Sequence, residues 1–310
     1  MAANHSKMRL GKRSRRDDPR TLKLARYLLP GAYTAAVAPP SSCDYTRGAK
    51  DWGMMLNDRL GCCTISAVGH ALQVWTANAS KEITVPDSTI LSYYQRWDGF
   101  NPRDASTDQG GVELDVLNDW RQQGFAGHTL DAYVSIGLGN REQGIEGKAQ
   151  NPVPSPQPPD PSTQTPTACP DLALAIWLFG GAYIGVRLPI TAQNQDVWDV
   201  PAHPGPNDEP GSWGGHAVQL VGYDCGLPIA DGRLSIEEPS VNRQSSIDNH
   251  QSFLTCITWG RLKRMTWAWL EKYCDEAYAL VSKDWIKANG IAPSGFDFAT
   301  LEADLNLVTA

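Results

Sequence analysis

The chain has no run of 18 or more apolar residues, so no membrane-spanning helix is expected. Its basic N-terminus lacks the apolar stretch of a secretory signal, and a cytoplasmic location is the expectation. Seven cysteines among 310 residues are sparse and odd in number, which argues against a disulfide framework. Cys43, Cys169, Cys225, Cys256 and Cys274 read as packed thiols of a reduced protein. No Cys-x-x-Cys pair and no zinc-like Cys/His spacing occurs, so no metal is expected. There is no internal repeat. A hydrophobic content of 41% with 11 Trp excludes a disordered chain and supports a sizeable core.

Charge is unevenly spread. Residues 1–30 hold nine Lys and Arg against Asp17 and Asp18, so this arm carries +7 within a chain of net charge −7 and leaves −14 for the rest. A basic arm on an acidic body can bind nucleic acid or dock on the body itself.

Leu22, Leu24 and Leu28 predict a short helix after Asp18-Pro19, followed by a Pro-punctuated connection through residues 30–45. Small and apolar residues from Gly61 through "CCTISAVGHALQVWTANA" predict a central helix. Further helices are predicted over "DSTILSYYQRW", "VELDVLNDW" and "DLALAIWLF". Strands are predicted in "GHTLDAYVSIG", "GAYIGVRLP", "HAVQLVGYD", "RLSIEE" and "SFLTCITWG". The segment 266–282 mixes helix with a closing strand, and the tail is a loop with a short helix. Residues 151–170 hold seven prolines before Pro170 and read as a surface excursion. Helices first and strands later is an α+β pattern with a cleft between the halves. The expected organisation is an arm and connection (1–49), one domain (50–285, with 151–170 as its Pro-rich loop) and an extension (286–310).

Two adjacent cysteines open the central helix. A thiol there meets unpaired N–H groups and the positive end of the helix dipole, both of which favour thiolate. A nucleophile also needs a base. His216 follows "GSWGG", so a backbone can approach closely at Gly215, and it opens an apolar strand. His70, seven residues after Cys63, reads as a core histidine satisfied by backbone.

These residues resemble the papain-like cysteine peptidases in order along residues 50–285. "NDRLGCC" places Asn57 and Gly61 at the family's offsets before the nucleophile, Cys63. Gly110-Gly111 with its following helix is similar to the substrate-lining pair, "HAV…VGY" to the histidine strand and "ITWG" (257–260) to its "NSWG". The 153 residues from Cys63 to His216 lie near the family spacing of about 130–150. "WGMMLNDRLG…CT", "GGHAV" and "TWG…RMTW" further resemble an uncharacterised papain-like group of bacteria and tailed phages, which would allow a virion location.

The resemblance implies a papain-like α+β fold, with a helical half carrying Cys63, an antiparallel β half carrying His216, and a cleft between. It implies thiol acyl transfer on a polypeptide, most simply peptide or isopeptide hydrolysis, with no cofactor. Cys63 and His216 would form the dyad and Asn57 the oxyanion donor. Gly110, Gly111 and Gly215 would meet the substrate backbone, and Trp259 would shield the histidine. Two departures stand out. Ile257 replaces the orienting Asn; Thr258 is the nearest substitute, although a regular strand would turn it to the opposite face. An alignment on Cys62 would instead put Leu56 at the oxyanion position, where no side-chain donor exists, so Cys63 is preferred. The alternative reading is an inactive papain-like scaffold serving as a structural or interaction protein.

Overall fold

The computed structural model describes residues 8–29, 39–79, 81–138, 170–225, 252–289 and 296–309. The helical part comes first. β1 (Ser42–Asp44) precedes α1 (Cys63–Ala79), α2 (Asp87–Trp97) and α3 (Glu113–Gln123). Strand β2 (Ala132–Ser135), helix α4 (Pro170–Phe179) and strands β3 (Ala182–Leu188) and β4 (Val197–Trp198) follow. The β part continues through β5 (Gly214–Asp224), β6 (Phe253–Thr258) and β7 (Arg261–Thr266). Helix α5 (Trp267–Tyr273), strand β8 (Cys274–Val281) and helices α6 (Lys283–Asn289) and α7 (Phe298–Thr309) complete the chain.

One eight-stranded sheet runs β2-β8-β3-β5-β6-β7-β4, with β1 pairing β5. Every pairing is antiparallel except β4 with β7. Helix α1 lies against β5, and all thirteen residues from Cys63 to Trp75 are buried. Gly69 admits Met55 and Ile90, since a Cβ there would come within 2.6 Å of Met55 Sδ, and Ile65, Val68 and Leu72 are fully buried. Removing one such side chain costs about 2–5 kcal/mol. Trp75 Nε1 donates to Phe179 O at 2.8 Å, and Tyr183 hydroxyl to Thr64 O at 3.1 Å, which satisfies the polar tips of the helix–sheet layer.

Three expectations change. The helix expected over 18–28 is a single 3₁₀ turn, Leu24–Tyr27. The tail carries two helices rather than one. Strand β7 had no counterpart in the sequence reading, because "RLKRMT" holds three cations in six residues. It pairs fully with β6 but only with the two-residue β4 on its other side, so most of its polar side chains face water. The expected strand "RLSIEE" and nearly all of the Pro-rich stretch lie outside the described residues.

Candidate active site

A tight turn delivers the nucleophile candidate. Met55 and Leu56 both take left-handed backbone angles (φ 49 and 64), and Asn57 N donates to Met54 O at 3.1 Å. Gly61 N donates to Asp108 Oδ1 at 2.9 Å. The same oxygen accepts the Tyr94 hydroxyl at 2.7 Å, and that hydroxyl accepts Gly110 N at 2.9 Å. One tyrosine–aspartate pair therefore ties the turn before α1 to the Gly110-Gly111 pair. Neither Tyr94 nor Asp108 was singled out from sequence; only their positions before the Gly-Gly signal could have suggested them.

The two cysteines point differently. Cys62 Sγ lies 3.5 Å from both Met55 O and Ser66 Oγ, in the core. Cys63 Sγ accepts the Ala217 amide at 3.4 Å, so the sulfur meets β5 at the residue next to His216. His216 Nε2 is 2.7 Å from Thr258 Oγ1, while Nδ1 is buried with no hydrogen-bond partner. Trp259 stacks on the imidazole at 4.2 Å and 11°, and Trp213 stacks on Trp259 at 5.6 Å.

The expectation that Thr258 would turn away from the histidine is corrected here. Strand β6 ends at Thr258, and Trp259-Gly260 form the two-residue turn into β7 with φ 45 and 68. A left-handed tryptophan is strained by about 1–3 kcal/mol; its ring is held between His216 and Trp213 and meets Trp198 edge-on. Ile257, 1% exposed, stays in the core. His70 Nε2 faces Trp52 O at 2.9 Å and Gly53 O at 3.3 Å, inside the helical half.

Residues 8–16 of the basic arm run through the cleft. Gly111 N donates to Gly11 O at 2.8 Å and Arg13 N to Gly111 O at 2.8 Å, a parallel bridge centred on Lys12. Lys12 N donates to Gly215 O at 3.1 Å. Asn57 Nδ2 donates to Arg9 O at 3.2 Å and to Leu60 O at 3.3 Å, and Trp259 Nε1 also donates to Arg9 O at 3.2 Å. The Gly11 amide donates toward Cys63 Sγ. A Cβ on Gly110 would sit 1.7 Å from Gly11 O, so only glycine admits the arm there.

Burial sets the protonation of the pair. Burial pushes the Cys63 thiol up to about 12, against the Ala217 and Gly11 amides, which favour thiolate. Burial, then the charge of His70, pushes His216 down to about 3. Under the arm both groups are neutral.

Several arm cations are engaged by carboxylates of this chain. Lys12 pairs with Asp275 at 3.0 Å and Glu276 at 2.8 Å, Arg16 with Asp115, and Arg26 with Asp304 at 2.9 Å. Arg15–Asp17 (2.8 Å) and Arg20–Asp18 (2.7 Å) pair within the arm. The nucleic-acid expectation is left without structural support. Among the described residues no helix is long and apolar enough to cross a membrane.

No family model matches the chain, and no curated protein matches it in sequence. Solved structures do match. Xylellain, a cysteine protease from Xylella fastidiosa, is 14% identical, with TM-score 0.55 over 89% of this chain and 97% of its own. Digestive procathepsin L 3 of Tenebrio molitor is 13% identical, with TM-score 0.45 over 85% and 76%. A recombinant stem bromelain precursor is 12% identical, with TM-score 0.42 over 90% and 78%. The fold is papain-like, an α+β architecture with helices leading and an antiparallel-dominated sheet following.

Proposed function

We propose that this chain is a cysteine-dependent acyl-transfer enzyme acting on polypeptides, most simply as a peptide or isopeptide hydrolase. The observation that carries this reading is the polarity of His216. Its Nε2 is held by Thr258 and its Nδ1 is left without a partner, on a strand whose next amide touches the Cys63 sulfur. With Nε2–H donated to Thr258, Nδ1 keeps the lone pair that takes the thiol proton.

The thiolate adds to the substrate carbonyl carbon, and Asn57 Nδ2 supports the oxyanion. That amide already donates to a peptide carbonyl in the cleft, Arg9 O. Protonated His216 then gives its proton to the departing amine as the C–N bond breaks. Water hydrolyses the thioester, losing its proton to His216, and returns the free thiol. Thr258 and Trp259 position the imidazole. Cys62, turned into the core, takes no part.

The arm must leave the cleft before any substrate enters. Burial is the largest cause of both pKa shifts at the pair, so readmitted water relieves what keeps thiol and imidazole neutral. A second reading, an inactive scaffold or interaction protein such as a virion component, is favoured by the 1% exposure of Cys63 under that arm.

Iodoacetamide labelling at about pH 5.5, mapped by peptide mass spectrometry, separates the two. An ordinary thiol is nearly inert there, and an ion-paired one is not. Full-length Lys12→Ala protein, with its arm loosened, should label at Cys63 and lose that labelling when His216→Ala is added. No acid-range labelling of Cys63 in the loosened protein overturns the enzyme reading in favour of the scaffold.

A further inference from the structure

Beside the thiol, the cleft wall opens into a small buried chamber. Glu113, from the first turn of α3, is fully buried and lies two residues beyond Gly111, whose backbone pairs with the arm. Asp275 and Glu276 enter from the start of β8, and Gly185 comes from β3 at the point where its register with β8 shifts. The tenant is Lys12, its side chain 1% exposed. Its Nζ reaches Asp275 at 3.0 Å and Glu276 at 2.8 Å. Burial alone would depress this ammonium, but Glu113, Glu276 and Asp275 together outweigh it and hold it charged.

Three features mark this as a receptor for a side chain rather than a structural ion pair. The cation comes from the chain laid across the cleft, and the anions come from the body. The walls hold more acid than one lysine needs: Glu113 receives no donor from backbone, hydroxyl or side-chain amide and is partnered by the Glu276 carboxyl, and burial with the charge of Glu276 pushes the Glu113 carboxyl well upward. The space itself depends on a missing side chain, since a Cβ on Gly185 would come within 2.0 Å of Lys12 Cε and 2.8 Å of Glu113 Oε2. Gly111 and Gly215 meanwhile hold the backbone through bonds indifferent to sequence. Main-chain pairing with a selective pocket beside it is how an extended peptide is both held and recognised.

We propose that Glu113, Asp275, Glu276 and Gly185 form a specificity pocket for a basic side chain, so that the polypeptides entering this cleft carry Lys or Arg at the residue seated there. Lys12 occupies the pocket until the arm leaves. Once emptied, it holds the Asp275 and Glu276 carboxylates with no cation, and an apolar side chain would leave them uncompensated. The proposal rests on the peptidase reading above for its substrate, but not for its chemistry.

The test has two measurements. In full-length Lys12→Ala protein, n-propylammonium replaces the deleted carbons and ammonium; it should raise the melting temperature by about 3 °C or more, with no such rise from 1-propanol. The gain should vanish on adding Glu276→Gln. A response no different from 1-propanol overturns the pocket whether or not the protein is an enzyme. Second, thiol-directed peptidyl acyloxymethyl ketones varied among Lys, Arg, Leu and Glu are reacted with the same protein and, should that variant misfold, with full-length Lys12→Gln protein. Labelling of Cys63 at least about tenfold faster by a Lys or Arg probe supports the proposal. Equal or faster labelling by Leu overturns it while leaving the cysteine chemistry standing. Reaction with iodoacetamide but with no peptide probe removes the peptidase reading, and the substrate pocket with it.

Discussion

The thiol centre and the acidic chamber are covered by the same few residues, yet they are covered by opposite means. At Cys63 and His216 the arm excludes water from a pair that stays neutral, with burial moving each pKa toward its uncharged form. At Glu113, Asp275 and Glu276 it brings a charge into a site that needs one. The first arrangement holds the arm by its main chain alone, through bonds at Arg9 and Gly11. The second gives hold, since breaking a buried ion pair by removing one partner costs about 3–5 kcal/mol. The arm is thus fastened by Lys12, the residue next to the Gly11 amide that meets the sulfur.

The sharpest way to break this comparison is at the sulfur. Cys63→Ala should lower peptide turnover by about 10³-fold or more, and Cys62→Ala should leave it within a few-fold; turnover of an unstructured protein substrate by loosened protein checks both. Next comes the fastening. Lys12→Ala should raise the neutral-pH alkylation rate of Cys63 on the order of 100-fold, whereas Arg20→Ala, whose partner Asp18 lies in the arm itself, should change it little.

A pH experiment sharpens the contrast between a histidine covered by the arm and one covered by the core. Burial holds His70 at about 4, although backbone carbonyls partly offset it. Its folded pKa lies below the unfolded 6.5, so its contribution is complete above pH 6.5 and is lost as pH falls toward 4. That contribution is about 3 kcal/mol. His216 contributes with the same sign down to about pH 3. Urea unfolding from pH 7 to 4 should show the His70 part, as its loss in His70→Gln, unchanged by Lys12→Ala. The His216 part should shrink once the arm is loose. The smallest effect is at the imidazole's support: Thr258→Val should reduce turnover about tenfold, the worth of one hydrogen bond, with Thr258→Ser close to wild type.

How much of this could be read beforehand follows from what each residue depends on. Cys63 and His216 were legible locally as candidates, one at a helix mouth and the other behind two glycines. The helices around them followed from the spacing of their apolar residues. Thr258 did not, because its direction depends on the register of β6 against β5: Gln219 opposite Ile257 puts Thr258 on the face of His216, a pairing no single strand pattern encodes. Glu113 and Glu276 were illegible for a different reason. They stand 163 positions apart and become a site only where a helix start, a sheet irregularity and the arm converge. Tyr94 and Asp108 are likewise a tertiary pair.

The path of the arm past the sulfur has one more consequence. What the chain offers Cys63 there is an amide N–H, from Gly11, while the Arg9 carbonyl oxygen is held by Asn57 and Trp259. A donor holds a thiolate more strongly than a thiol, so ionising Cys63 would tighten the arm's contact at the sulfur rather than expel it.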